Sequence, residues 1–247
     1  MTKRLPLHPV LLCLATGVWL SVIGVAGAQA QSTPLKPISI AYTVSLVSEK
    51  YGNATLGRAE TTLRKTKQGY SVISATKAQG MAAILMGSNI QESCDFMVDD
   101  GRAVSTTYAG GRSANNDYEV SFDWQERKIN FSDGESLDMP QGYVVDNCNL
   151  PFATALLKGE GLSGETVYVV DGKKKRIRGY TLKSSDREIL TTKFGDIDTL
   201  KIVLERELVP ERTFTLWLSP ENSYVPLKME ERRPSRATTM MVDQIDS

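Results

Sequence analysis

Ile38-Ser39-Ile40-Ala41-Tyr42-Thr43-Val44-Ser45-Leu46 decides the fold class. Large apolar side chains take every even position, and small or hydroxylated ones every odd position. A strand points successive side chains to opposite faces, so this spacing gives one buried and one wet face. The period of two returns at Leu200, Ile202 and Leu204, and again at Phe214, Leu216 and Leu218. It recurs at Val225, Leu227 and Met229, and weakly at Met240 and Val242.

Turn signals separate these runs. Asn53 and Gly57 flank one bend and Gln68-Gly69 marks another, while Asp100-Gly101, Asp133-Gly134 and Asp171-Gly172 read as hairpins. Asp-Gly supplies the positive φ that tight hairpins need. The strands follow one another without long helices between them, which predicts an antiparallel meander and argues against βαβ units. About fifteen strands are predicted in one domain over residues 38–247, an ordinary size for an all-β domain. Open twisted sheets seldom exceed about ten strands. The expected fold is therefore all-β, a large curved antiparallel sheet or half-open β-barrel.

One segment departs from the period of two. Leu150-Pro151-Phe152-Ala153-Thr154-Ala155-Leu156-Leu157 has apolar residues at helical spacing. Asn147 or Asn149 can cap it, Pro151 suits its first turn and Gly159 its stop. A single short apolar helix among strands is expected to pack against, or plug, the concave face.

Upstream, Lys3 and Arg4 precede an apolar stretch from Val10 to Gly27, and Ala28-Gln29-Ala30 follows. That is the anatomy of a secretory signal peptide over residues 1–30, cleaved after Ala30, with residues 31–37 as a flexible lead-in. The alternative is an uncleaved anchor, because the 18 apolar residues approach the roughly 20 that span a bilayer. The Ala-x-Ala end favours cleavage and a periplasmic location. Nothing later in the chain is apolar enough to cross a membrane.

Cleavage removes the only histidine, His8, and one of three cysteines, Cys13. Without imidazole, Ser-His-Asp and Cys-His catalysis and His-based metal sites are excluded. Cys94 and Cys148 remain, an even pair that suggests one disulfide in an oxidising compartment. The whole chain has 29 basic and 29 acidic side chains. Loss of Lys3 and Arg4 leaves the mature chain slightly acidic, without the electrostatic footprint of a nucleic-acid binder.

Candidates for chemistry are few. Asp95, Asp123, Asp186 and Glu188 sit on or beside predicted strands, and a general base here would have to be such a carboxylate or a desolvated lysine. Asp95, Asp99 and Asp100 match no calcium loop. No catalytic residue, metal ligand or cofactor is assigned. The basic run Lys173-Lys174-Lys175-Arg176-Ile177-Arg178 is read as a solvated hairpin tip, with attraction to anionic headgroups as the alternative. Gly80 and Gly87 flank an apolar segment with two methionines, side chains that adapt to irregular apolar partners. Trp124 and Trp217 are expected in the core or at the end of the barrel.

Tyr42-Thr43-Val44, Gly69-Tyr70, Val120-Ser121-Phe122-Asp123-Trp124, Phe194-Gly195, Arg212 to Trp217 and Tyr224-Val225-Pro226 occur in that order. Together they resemble a family of exported proteobacterial proteins known as a domain of unknown function, over about Ile38 to Asp243. Such chains are similar in shape to the LolA/LolB-like periplasmic lipoprotein carriers. That resemblance implies a curved sheet around an apolar cavity with a helical lid.

The expected function is binding of a hydrophobic or amphipathic envelope component, a lipid or acylated molecule, in support of envelope integrity. Met81, Ile84, Leu85, Met86, Phe152, Leu156 and Leu157 are the expected cavity lining. One alternative is a structural protein whose filled barrel docks an envelope protein, and another is a carboxylate-dependent hydrolase. Membrane contact is expected to be peripheral at most.

Overall fold

The computed structural model describes residues 35–50, 52–80, 89–112 and 117–246. The expected signal peptide, most of the lead-in and the segment holding Met81, Ile84, Leu85 and Met86 lie outside the described residues.

Among the described residues, fifteen strands form one sheet. In chain order they are β1 (Ile38–Ser48), β2 (Gly52–Lys65), β3 (Tyr70–Ala78), β4 (Ile90–Asp99), β5 (Arg102–Arg112), β6 (Tyr118–Asp123), β7 (Lys128–Phe131) and β8 (Ser136–Asp138). There follow β9 (Tyr143–Asp146), the helix α1 (Leu150–Leu157), β10 (Thr166–Asp171), β11 (Arg176–Thr192), β12 (Gly195–Arg206), β13 (Thr213–Ser219), β14 (Val225–Arg233) and β15 (Arg236–Asp246). The spatial order is β8-β7-β6-β5-β4-β3-β2-β1-β15-β14-β13-β12-β11-β10-β9. The first and last strands thus pair at the middle, and two meanders run outward from them.

The alternation in β1 translates directly into burial, with Ile40, Tyr42 and Val44 inside. Inward residues of β12, β13 and β14, including Ile202, Leu204, Leu216, Leu218 and Leu227, are fully buried and fill much of the interior. Asp100 and Gly101 both take positive φ, 45° and 73°, and close β4 onto β5 in a two-residue turn. The Asp171-Gly172 hairpin is built differently. Asp171 Oδ1 accepts from Lys174 N across a short 3-10 turn, and Lys175 carries the positive φ.

One pairing corrects the expected meander. β9 runs parallel to β10, and α1 lies in the crossover between them. Parallel neighbours need a connection of about a dozen residues or more, and residues 147–165 supply it. Consistent with a parallel strand, all four residues of β9 are buried.

The sheet curls but does not close, since no ladder joins β8 to β9. Side chains seal the seam where β9 meets β5. Ala103 N donates to Tyr143 Oη at 3.1 Å and Ser105 Oγ donates to Asp146 Oδ2 at 2.8 Å. The Cys94–Cys148 disulfide ties β4 to the residue before the cap of α1. Among the described residues, no helix is long and apolar enough to cross a membrane.

Candidate functional site

Small inward residues leave a gap in an otherwise filled interior. Thr61 on β2, Ser74 on β3 and Thr238 on β15 occupy inward positions where neighbouring rows carry Leu63, Val72 and Val242. Thr61 and Ser74 satisfy each other with a 3.0 Å hydrogen bond. Beside them lies a cavity of about 240 Å³. Its apolar walls are Tyr42, Phe214, Pro226, Met229 and Met240 from the sheet, with Pro151 and Phe152 from the first turn of α1. Tyr42 turns its hydroxyl away to Pro226 O at 2.8 Å, which leaves the ring as wall.

Of the residues expected to line a cavity, Phe152 does so. Leu156 is buried in the core and Leu157 is half-buried against Gly161, so neither lines it. The reason is geometric: the first turn of the helix faces the gap. Seen from the sequence, the strand walls are inward positions of an alternating pattern, and Thr61, Ser74 and Thr238 are the signal that the pattern thins there.

At one end the cavity adjoins a second of about 270 Å³, with Glu92 and Asn147 lining both. This second space is charged, with Arg112, Asp117, Asp171 and Lys173 on its walls. Glu92 Oε1 accepts from Tyr108 Oη at 2.6 Å and Tyr118 Oη at 2.9 Å. The Tyr118 ring reaches this position between Gly110 and Gly172, where a Cβ would meet it at 2.4 and 2.5 Å. Burial, then the Glu92 charge, holds both tyrosines far above the ordinary phenol value. They are hydrogen-bond donors at any working pH.

Behind α1 lies a buried polar knot. Asp146 Oδ1 accepts from Cys148 N and Asn149 N, both at 2.9 Å, and Asn149 Nδ2 donates to Ser105 Oγ at 2.8 Å. Asn149 therefore caps the helix by position without a side-chain cap bond, its amide being used on the seam. Burial pushes the Asp146 carboxyl up to about 7, against the pull of the Asn149, Ser105 and Cys148 hydrogen bonds. Donor atoms of Cys94, Asp146 and Cys148 lie within 4.8 Å of one another. The two sulfurs are bonded to each other, so they offer no thiolates to a metal.

The carboxylates singled out in the sequence are spent elsewhere. Asp95 accepts from Thr107 Oγ1, Asp123 holds the turn at Gln125 and Glu126, and Asp186 is exposed. Glu188 accepts from Trp217 Nε1 at 2.8 Å and Lys201 at 2.6 Å. Trp217 lies on the outer face under Lys201 and Lys228, whose ammonium groups sit 5.3 and 4.0 Å from the ring. Trp124 is half-buried at the seam and donates to Ser105 O at 2.8 Å.

A family model described as a protein of unknown function (DUF3108) matches residues 41–242. A solved structure, a beta-barrel-like protein of domain of unknown function DUF1849 from Brucella abortus, is similar at a TM-score of 0.57 and 11% identity. The match covers 87% of this chain and 98% of that one. At that identity the likeness carries the fold alone. No curated protein matches the chain significantly.

Proposed function

We propose that this chain, which belongs to the DUF3108 family, is a non-catalytic periplasmic protein that binds the apolar part of an amphipathic envelope component beneath α1. The observation that carries the reading is the apolar-walled gap of about 240 Å³ beside Thr61, Ser74 and Thr238. An engineered apolar cavity of about 150 Å³ accepts benzene, so by proportion this one has room for about ten heavy atoms. At about 0.8 kcal/mol for each buried methylene, a chain of that size gains roughly 8 kcal/mol before the costs of association. Micromolar affinity is within reach of such a site, with no catalytic group.

Cavity filling tests it. Thr238→Leu puts a larger side chain into the gap at a position already inward. Binding of a fluorescent ten-carbon acyl probe is expected to fall at least tenfold in that variant while its thermal midpoint is kept or raised. Unchanged binding, or no binding by the native protein, would sink the reading.

A second reading, a scaffold that docks an envelope protein, is favoured by how densely the rest of the interior is filled. It predicts that affinity purification recovers a protein partner and no lipid.

A further inference from the structure

Four arginines converge on the concave face next to the cavity. On β11, Arg176, Arg178 and the buried Tyr180 alternate and share one face, and the register sets Arg178 opposite Val169 and Tyr180 opposite Val167, both core residues. Tyr180 is in turn paired with Arg206 at the end of β12. Arg206 N donates to Arg212 O at 2.9 Å, which places Arg212, the residue just before β13, across from it. Directly opposite residues in an antiparallel pair share a face, so all four guanidinium groups belong to the inner side. Two positions along from Arg212, on the same face, is Phe214, a wall of the apolar cavity. At a rise of about 3.4 Å per residue, that is roughly 7 Å away.

The cluster is short of negative charge. Among the described residues, Asp171 alone forms ion pairs with any of the four, to Arg178 and, at 3.4 Å, to Arg176 Nε. Arg206 and Arg212 are half-buried and pair with no carboxylate among the described residues. Desolvation, and after it the charges of Arg178, Arg212 and Arg176, hold the Arg206 guanidinium below its ordinary value, with Tyr180 acting the other way. The Nε–H groups of Arg176, Arg178 and Arg212 are buried and donate no hydrogen bond. Guanidinium groups gathered against their own repulsion, with buried donors left over, match the forked geometry of an oxyanion that brings charge and several acceptors together.

We propose that Arg176, Arg178, Arg206 and Arg212 form the head-group subsite for the ligand of the adjoining cavity, which is an amphiphile ending in a phosphate. This rests on the cavity reading above and adds the chemical class of the head. The apolar tail lies against Phe214, Phe152 and Met229, and the oxyanion turns to the arginines and competes with Asp171 for them.

Calorimetric titration of the full chain with decyl phosphate, 1-decanol, decyltrimethylammonium and inorganic phosphate tests head and tail separately. Decyl phosphate is expected to bind at least tenfold more tightly than 1-decanol, and 1-decanol more tightly than decyltrimethylammonium. The advantage over 1-decanol is expected to shrink as sodium chloride rises from 0.05 to 0.5 M. The double variant Arg206→Gln/Arg212→Gln brings decyl phosphate down to the level of 1-decanol, whereas Arg187→Gln, at an exposed pair with Asp198, leaves it unchanged. Equal affinity for the three decyl compounds in the native protein overturns the arginine subsite and leaves the cavity reading standing. Inorganic phosphate binding as tightly as decyl phosphate would mean a free anion is the ligand, and the amphiphile proposal fails. No binding by any decyl compound removes both.

Discussion

Asp146 makes the stability of this protein fall as pH rises through the mildly acidic range. The group is fully buried, and burial lifts its carboxyl from 3.8 to about 7. In the unfolded chain the proton is gone above about pH 4, while the folded chain keeps it until about 7. The folded state therefore binds more protons across that window, and its stability declines by about 1.4 kcal/mol per pH unit. Over the three or so units between the two values the loss amounts to about 4 kcal/mol, fully present as stability below pH 4 and gone above 7. Asp146→Asn removes the titration with little change of shape. Its Oδ1 still accepts from Cys148 N and Asn149 N, and Ser105 Oγ can accept from the new amide. Urea unfolding followed by tryptophan fluorescence at pH 4, 5, 6, 7 and 8 gives the free energies of both proteins. Surface carboxylates held low by lysines and arginines, such as Asp133 beside Lys175 and the half-buried Asp243 beside Lys193, cancel in the difference. That difference should move by about 4 kcal/mol in favour of the variant from pH 4 to 7 and then level off. A flat difference curve would refute the reasoning.

Opening the Cys94–Cys148 bond by replacing both cysteines with serine should cost about 4 kcal/mol in the chain-entropy model, from a loop of separation 54. Urea titration measures the loss, and native oxidised protein should resist thiol labelling until reduced. Gly101→Ala, at φ 73° in the β4–β5 turn, should lower stability by about 1–2 kcal/mol, the cost of left-handed backbone with a Cβ; an unchanged thermal midpoint would count against that turn. Trp217→Phe keeps a ring under Lys201 and Lys228 but removes the bond to Glu188, and should cost about 1 kcal/mol and reduce the intrinsic fluorescence.

Most strands were legible because one face of each is wet. Ile40, Tyr42 and Val44, or Leu216 and Leu218, announce themselves by contrast with their neighbours. The strand β9 offers no such contrast. Tyr143, Val144 and Val145 are buried on both faces, so its parallel pairing with β10 left no period of two to read. The disulfide was legible from Cys94 and Cys148, the two cysteines that follow the apolar N-terminal stretch. The basic run divides in the structure. Lys173 and Lys174 are exposed at the hairpin tip and Lys175 turns out to Asp133 and Glu135, whereas Arg176 and Arg178 fall in phase with Tyr180 and turn inward, which charge alone does not announce. The apolar character of the helix does not tell its turns apart: Phe152 in the first turn faces the gap, while Leu156 and Leu157 in the second pack against the core. Which turn faces the gap depends on the orientation of α1, set by the Asp146 knot and the disulfide across long sequence distances.

The pairing of β1 with β15 has a consequence for how the molecule is made. On the ribosome, the strand from Ile38 to Ser48 emerges long before its second neighbour, Arg236 to Asp246. Until β15 emerges, one flank of β1 stays an open edge with its amides unpaired, a template for adventitious β-addition. Topologies dominated by such distant partners fold slowly. Maturation in the cell should thus depend on a holding factor that shields that flank, and a circular permutant joining the two ends should need it less.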